Sequence, residues 1–567
     1  MLSAFKRKFR QLVNDPVLRA WLIGRALGRY PAAPAFDAHQ PPYLQSLLPL
    51  RASGPHRLPP AVPAAQEVSA AGAITVPLPG LELTLDADNP EAFFRTAVDD
   101  IEVDLARHRF AWLPLLETVP DGFFRTAWAS WRRLFFDHEG MHWHPYSAAE
   151  RAINLIDGMA RFGAPDDARR LADDLAYHAQ IIAGRLEYFG SHDTSNHLAN
   201  NGRGLYRIGC ALGNITIRTL GFDILAHEAR RICLPSGMLR EGSSHYHMLY
   251  LRNYLDVWLC ARNHGHTADA ETFRNIAAAM LAAARSLVLP GGLPLIGDIS
   301  PDVPPAYLSG IEQGLGAWAA TRTGAEQQML KSLTREVGAA SPDDLLADGW
   351  LNWADTRWSA LAHIPPGGWP FMPGHAHQDM GSAEIHVDGQ ALFVDPGRGI
   401  YGDSPAAAAY RTSSVHGTLR IDDLDPYPAN KPYYTNTFRA RIAGPAKANI
   451  QSDGFTLTHG GYQRIGVDAV RRQWRFSDTG MRIMDAVTGH GVHQIERALV
   501  TPGQTRIEGN AVIIDERFKI QTGNLEPVIR PITLWQAYGS GVTGSRISFE
   551  TVTTLPWTGT ITVEDIR

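Results

Sequence analysis

Three cysteines in 567 residues are too few, and odd in number, for a disulfide framework. Cys210, Cys233 and Cys260 lie in apolar runs of helical spacing and read as buried free thiols, which fits a reducing compartment without requiring one. An excess of either charge is missing as well. The chain sets 53 Lys and Arg against 58 Asp and Glu, a net charge of -5, so no basic domain points to nucleic acid. No window is long and apolar enough to span a membrane. Residues 1–30 place Lys6, Lys8, Arg10 and Arg19 among apolar positions and lack the clean apolar core and cleavage site of a secretion signal. They read as a basic helix, and the expected location is cytoplasmic or periplasmic.

What is present exceeds one ordinary core and divides into three sections. Residues 1–91 join the basic helix to a Pro- and Ala-rich stretch over 31–68 (Pro31, Pro34, Pro59, Pro60, Pro63) that reads as extended, then to short strands. Residues 92–349 are a series of amphipathic helices. Spacing predicts them from Phe93 to His108 and over 123–135, 147–162, 166–187, 196–214, 218–233, 245–261, 267–287, 307–322 and 325–336. Ser147, three residues before Glu150, reads as an N-cap. Residues 350–567 turn to strands, including 359–363, 382–394, 417–422, 435–442 and 467–476, with Asp388-Gly389 as a hairpin turn. The class is α+β multidomain: helices packed as a bundle, solenoid or toroid, then a large antiparallel β-sandwich.

Three stretches carry chemistry. Gly374-His375-Ala376-His377-Gln378-Asp379 leads through Val394-Asp395-Pro396-Gly397 to Ser414-Val415-His416-Gly417. The histidines His377 and His416 with Asp395 offer two nitrogens and a carboxylate, a donor set that suits zinc. A hydrogen-bonded cluster without metal is the bland alternative. Ser195-Asn196-His197 opens a helix, where first-turn amides favour an anion; a capping segment is the alternative. Arg240-Glu241-Gly242-Ser243-Ser244-His245-Tyr246-His247 opens another, with Tyr246 the functional candidate and Tyr250 and Tyr254 below it as packing. His386 alternates on a strand and reads as a surface residue.

These motifs resemble the heparinase II/III-like family of polysaccharide lyases, whose members pair an incomplete (α/α) toroid with an antiparallel β-sandwich. The resemblance runs from about residue 92 onward. It is strongest over His375–Asp379, Leu392–Gly397 and Tyr410–Thr418, where Gly417 stands in place of the family's usual asparagine. Trp143–Ile156, Asn196–Leu198 and Glu241–His247 match its helical segments. The resemblance implies β-elimination at a uronic acid. Asn196 would neutralise the carboxylate, with His197 contributing or serving as base toward one C5 epimer, Tyr246 would shuttle the proton, and His375 would be partner base or charge stabiliser. Zinc on His377, Asp395 and His416 would be structural. An acidic polysaccharide or oligosaccharide needs a positive groove, for which Arg203, Arg207, Arg240 and Arg411 are candidates, with Glu241 a further substrate-binding candidate and Trp143, Tyr146 and Trp358 candidates for sugar stacking. Two rivals stand beside this: a zinc-dependent glycan hydrolase, and an inactive carbohydrate-binding or envelope-assembly protein. A homodimer stays open, as do the polysaccharide and the uronate epimer.

Overall fold

A computed structural model of the chain describes residues 13, 15–29, 38–44, 70–191, 193–369, 374–402, 404–428 and 444–567. Lys6, Lys8 and Arg10, most of the expected extended stretch over 31–68 and the expected strand 435–442 lie outside the described residues. A hairpin of β1 (Ala73–Leu78) and β2 (Leu81–Asp86) comes before the helices.

The helical half is built from α1 (Phe123–Phe135), α2 (Pro145–Phe162), α3 (Ala168–Gly184), α4 (His197–Leu212), α5 (Ile215–Ile232), α6 (Ser244–Asn263) and α7 (Thr267–Leu287), with shorter helices at both ends. Their starts follow from side chains that satisfy the first free amides. Asp167 accepts from Arg169 and Arg170, Asn214 from Ile217, and Ser243 from Tyr246. One core gathers Trp112, Trp128, Trp131 and Ile182 beneath α1–α3, and a second gathers Leu249, Leu251, Met280 and Trp318 around α6 and α7.

Local sequence corrects the expected boundaries in three places. Pro145, with its φ already helical, starts α2 two residues before Ser147, whose hydroxyl instead accepts from Arg109 Nε at 3.2 Å. Phe93–His108 is not one helix. Pro90–Arg95 ends at Thr96 and Asp100 caps a new helix, Ile101–His108. The helix expected over 307–322 splits into Pro305–Leu308, a single turn Ile311–Gln313 and Gly316–Ala320, because Gly310, Gly314 and Gly316 all take positive φ.

The strands of the C-terminal half begin at Trp350, and every ladder among the described strands is antiparallel. An eight-stranded sheet, a four-stranded sheet ending on the strand Leu419–Ile421, and a second four-stranded sheet, β3 (Trp350–Ala354), β4 (Trp358–His363), β5 (Glu384–Val387) and β6 (Gln390–Phe393), enclose the third core. Trp353, Trp358, Phe455, Trp474, Phe549 and Ile561 fill it. Asp388 and Gly389, both at positive φ, make the turn between β5 and β6. No closed barrel forms among the described strands.

The two halves interlock through backbone. His375 N–H donates to Glu241 C=O at 2.9 Å, Asp298 N–H to His375 C=O at 3.0 Å, and Ile299 N–H to Arg398 C=O at 2.9 Å. Four irregular segments, two from the helical half (at Glu241 and Asp298) and two from the sandwich (at His375 and Arg398), are thus joined.

Candidate active site

Asn196 immediately precedes α4, and Tyr246 sits in the first turn of α6. Between them Glu241, fully buried, accepts from Asn196 Nδ2 at 2.6 Å. Tyr250, one turn below Tyr246, donates to the Asn196 carbonyl at 2.5 Å. Both ends of Asn196 are thereby fixed. His375 arrives from the sandwich half and lays its ring on that of Tyr246, centroids 3.5 Å apart and planes within 12°. Its Nε2 lies 3.2 Å from Asn196 Nδ2 and its Nδ1 lies 3.1 Å from Asp298 Oδ2. With Nδ1–H donated to Asp298, Nε2 carries the ring's lone pair, which accepts from Asn196 Nδ2, and stands 3.4 Å from Glu241 Oε2.

Asp298 is the hub of the cluster. Its Oδ1 accepts from His377 Nε2 at 2.8 Å, and Arg398 donates to both of its oxygens at 3.0 and 3.1 Å. Burial opposes the charge, but the hydrogen bonds from both histidines and the Arg398 cation hold Asp298 ionised, well below the usual carboxylate range. Asp298 and Arg398 are absent from the sequence-derived candidates, as is Tyr401. Tyr401 donates to the Ile299 carbonyl at 3.1 Å, so the 2.9 Å contact between the two phenols is a hydrogen bond from Tyr246 to Tyr401. Burial, with Asp302 nearby, raises Tyr246 well above the ordinary phenol range. It is a proton donor at neutral pH.

His197, at the start of α4, faces the solvent side with 45% of its side chain exposed and bonds Glu187 Oε1 through Nδ1 at 2.7 Å. Desolvation works against protonation, but Glu187 overrides it and shifts His197 upward. His144, 35% exposed, stands 3.6 Å from the same carboxylate. With His375 at 18% exposure, these imidazoles form the open wall of the cleft.

Other expected substrate contacts are elsewhere. Arg203 is buried in ion pairs with Glu150 and Asp256, each at 2.9 Å, and Arg207 is buried against Asp157 and Asp256. Trp143 is a core residue whose ring takes the Arg151 guanidinium at 4.5 Å. Trp358 is buried and donates to Ser477, and Tyr146 is buried and donates to Asp302. Glu241 positions Asn196 and does not line an open groove. Arg240 is half-buried and donates to Thr194 C=O at 2.9 Å, on the same rim, and Arg411 is exposed. His245 and His247 are structural, accepting from the amides of Ser300 and Leu239. His386 is buried, not a surface residue, because both faces of β5 are covered; it bonds Glu384, which accepts from Asp395 N–H.

His377, Asp395 and His416 present donor atoms within 4.8 Å of one another. His377 gives Nε2 to Asp298 and leaves Nδ1 buried without a hydrogen-bond partner. His416 Nε2 bonds the Tyr410 carbonyl at 2.9 Å and Nδ1 turns to Asp395 at 2.7 Å. Each imidazole has one nitrogen anchored and the other aimed inward, which is how protein acceptors orient metal-bound histidines. The residues fit a zinc ion. Burial opposes both charges of the His416–Asp395 pair, yet their attraction pushes His416 up to about 9 and holds Asp395 low.

Residues 340–526 match the family model described as heparinase II/III-like, C-terminal. No curated protein matches the chain. Among solved structures, heparinase III superposes with a TM-score of 0.63 at 14% identity, over 83% of this chain and 78% of that one. The heparan sulfate lyase HepC of Pedobacter heparinus gives a TM-score of 0.52 at 16% identity, over 83% and 78%. At such identities the likeness is one of fold.

Proposed function

We propose that this chain, whose residues 340–526 match the heparinase II/III-like C-terminal model and whose fold is that of heparinase III, is a polysaccharide lyase. The reading is that it cleaves a uronic-acid-containing polysaccharide or oligosaccharide by β-elimination. The observation that carries it is the stack of Tyr246 on His375 at 3.5 Å, with Asn196 3.2 Å from the imidazole. One proton donor, one lone-pair acceptor and one amide donor converge on a single cleft.

The proton next to a uronate carboxylate is weakly acidic because its removal leaves a dianion. Donors aimed at the carboxylate must lower that cost as charge develops. Asn196 supplies an N–H, and His197, held toward its cation by Glu187, supplies positive charge. His375 takes the C5 proton at Nε2, its ring fixed by Asp298. The C4–O bond then breaks, and its electron pair leaves with the glycosidic oxygen. Tyr246 protonates that oxygen. A C4–C5 double bond remains, and no water is consumed. Arg240 is the rim cation for the anionic chain.

Zinc on His377, Asp395 and His416 is read as structural, cross-linking the segment that carries His375. The side chains of the three donors are 0–4% exposed, so bulk water and a sugar chain have no route to an ion there. That argues against the hydrolase. The test is ultraviolet absorbance of the conjugated unsaturated uronate while uronate polymers are offered in turn. A rise with one polymer, lost in Tyr246→Phe and His375→Ala, supports the lyase. New reducing ends without the absorbance would replace it with the hydrolase, and saccharide binding without turnover would favour the binding protein.

A further inference from the structure

The helices that bring Asn196 and Tyr246 to the cleft carry a second constellation at their far ends. Cys210 lies in the last turn of α4 and Cys260 in the last turn of α6. His264 follows Cys260 by four residues, so both face the same side of the helix end, with Cys260 Sγ 3.8 Å from His264 Nδ1. The two sulfurs and a ring nitrogen of His264 lie within 4.8 Å of one another. His266 comes two residues later, its ring within 12° of parallel to that of His264 and 6.3 Å away.

Thiolate sulfur and imidazole nitrogen bind zinc at about 2.3 and about 2.0–2.1 Å, which sets tetrahedral donors roughly 3.5–4 Å apart. The sulfur-to-nitrogen distance already falls in that range, and Nδ1, which contacts the Cys260 carbonyl at 2.9 Å, would exchange that bond for the cation. Both cysteines are buried while His264 is exposed, so a cation has a way in from the histidine side. Cys233 has no place in the cluster.

We propose that Cys210, Cys260 and His264 form a binding site for a thiophilic divalent cation such as zinc, separate from the His377 cluster, with His266 beside it. Binding releases the thiol protons and ties the last turn of α4 to the last turn of α6. It thereby fixes the relative position of the two helices whose N-terminal ends hold Asn196 and Tyr246.

Cadmium titration of the chelator-stripped full-length protein tests this, because a sulfur-to-cadmium charge-transfer band is blind to the His377 cluster, which has no sulfur. The expected result is a band that saturates at one cadmium per chain, disappears in Cys210→Ser and Cys260→Ser, and persists in Cys233→Ser. His264→Ala, a change at an exposed position, weakens cadmium binding by at least the ~10–100-fold typical of losing a supporting partner. No band under excess cadmium, a band that survives in Cys210→Ser, or His264→Ala binding as tightly as the parent would overturn the proposal.

Discussion

Asp298 serves two histidines with two oxygens: Oδ2 takes His375 and Oδ1 takes His377, with Arg398 across both. Asp298→Asn removes the charge that Arg398 faces in a buried site. Breaking a buried pair in this way costs about 3–5 kcal/mol, so urea unfolding is expected to show a loss of that size together with near-complete loss of turnover. Tyr246→Phe removes only a hydroxyl, so the melting temperature should hold while kcat falls by roughly 10²–10⁴-fold; an unchanged kcat would remove Tyr246 from the chemistry. That Asn196, Tyr246 and His375 come together, as do His377, Asp395 and His416, was legible in the sequence because each sits in a short polar motif at a helix start or strand end. Asp298, Arg398 and Tyr401 were not, because each stands alone in an irregular segment and gains its role only from residues about 75 to 155 positions away. Arg203 and Trp143 were misread for the converse reason. Their types suit a sugar groove, but Glu150, Asp256 and Arg151 claim them inside the helices.

At the scale of elements, the site depends on how closely the irregular segments approach. Gly297 takes φ +84°, and a Cβ there would lie 2.7 Å from the carbonyl oxygens of both Gly242 and His375. Gly297→Ala therefore strains the backbone, by about 1–3 kcal/mol, and also pushes Asp298 and His375 apart. Loss of kcat beyond what the stability change explains, measured below the melting temperature, is the expected outcome. The helices themselves were readable from apolar spacing and caps, α7 to the residue. Failures came where a local rule beat periodicity: the proline that starts α2 and the three positive-φ glycines that cut the helix expected over 307–322. The strand order could not be read, since alternation gives each strand two faces but not its neighbours.

Across the whole molecule, burial leaves several imidazoles neutral that have no part in the proposed chemistry. It pushes His245 down to about 3, and His247 and His459 down to about 4. In the unfolded chain each titrates near ~6.5. Below that pH the unfolded state binds protons that the folded state refuses, so stability falls as pH drops from about 6.5 toward 4, by up to about 1.4 kcal/mol per pH unit for each histidine. Urea midpoints at pH 7 and pH 5 should differ accordingly, with the lower midpoint at pH 5. An ion held by His377, Asp395 and His416 would act in the other direction. At a thousandfold excess over its Kd it adds about 4 kcal/mol, so chelation should lower the melting temperature and zinc should restore it. The central claim is elimination without water, and the most direct measurement is the mass of the products of a defined uronate oligosaccharide digested in ¹⁸O-labelled water. The account predicts fragments whose masses sum to that of the substrate, with no ¹⁸O incorporated at cleavage; fragments heavier by one labelled water per cut would contradict it.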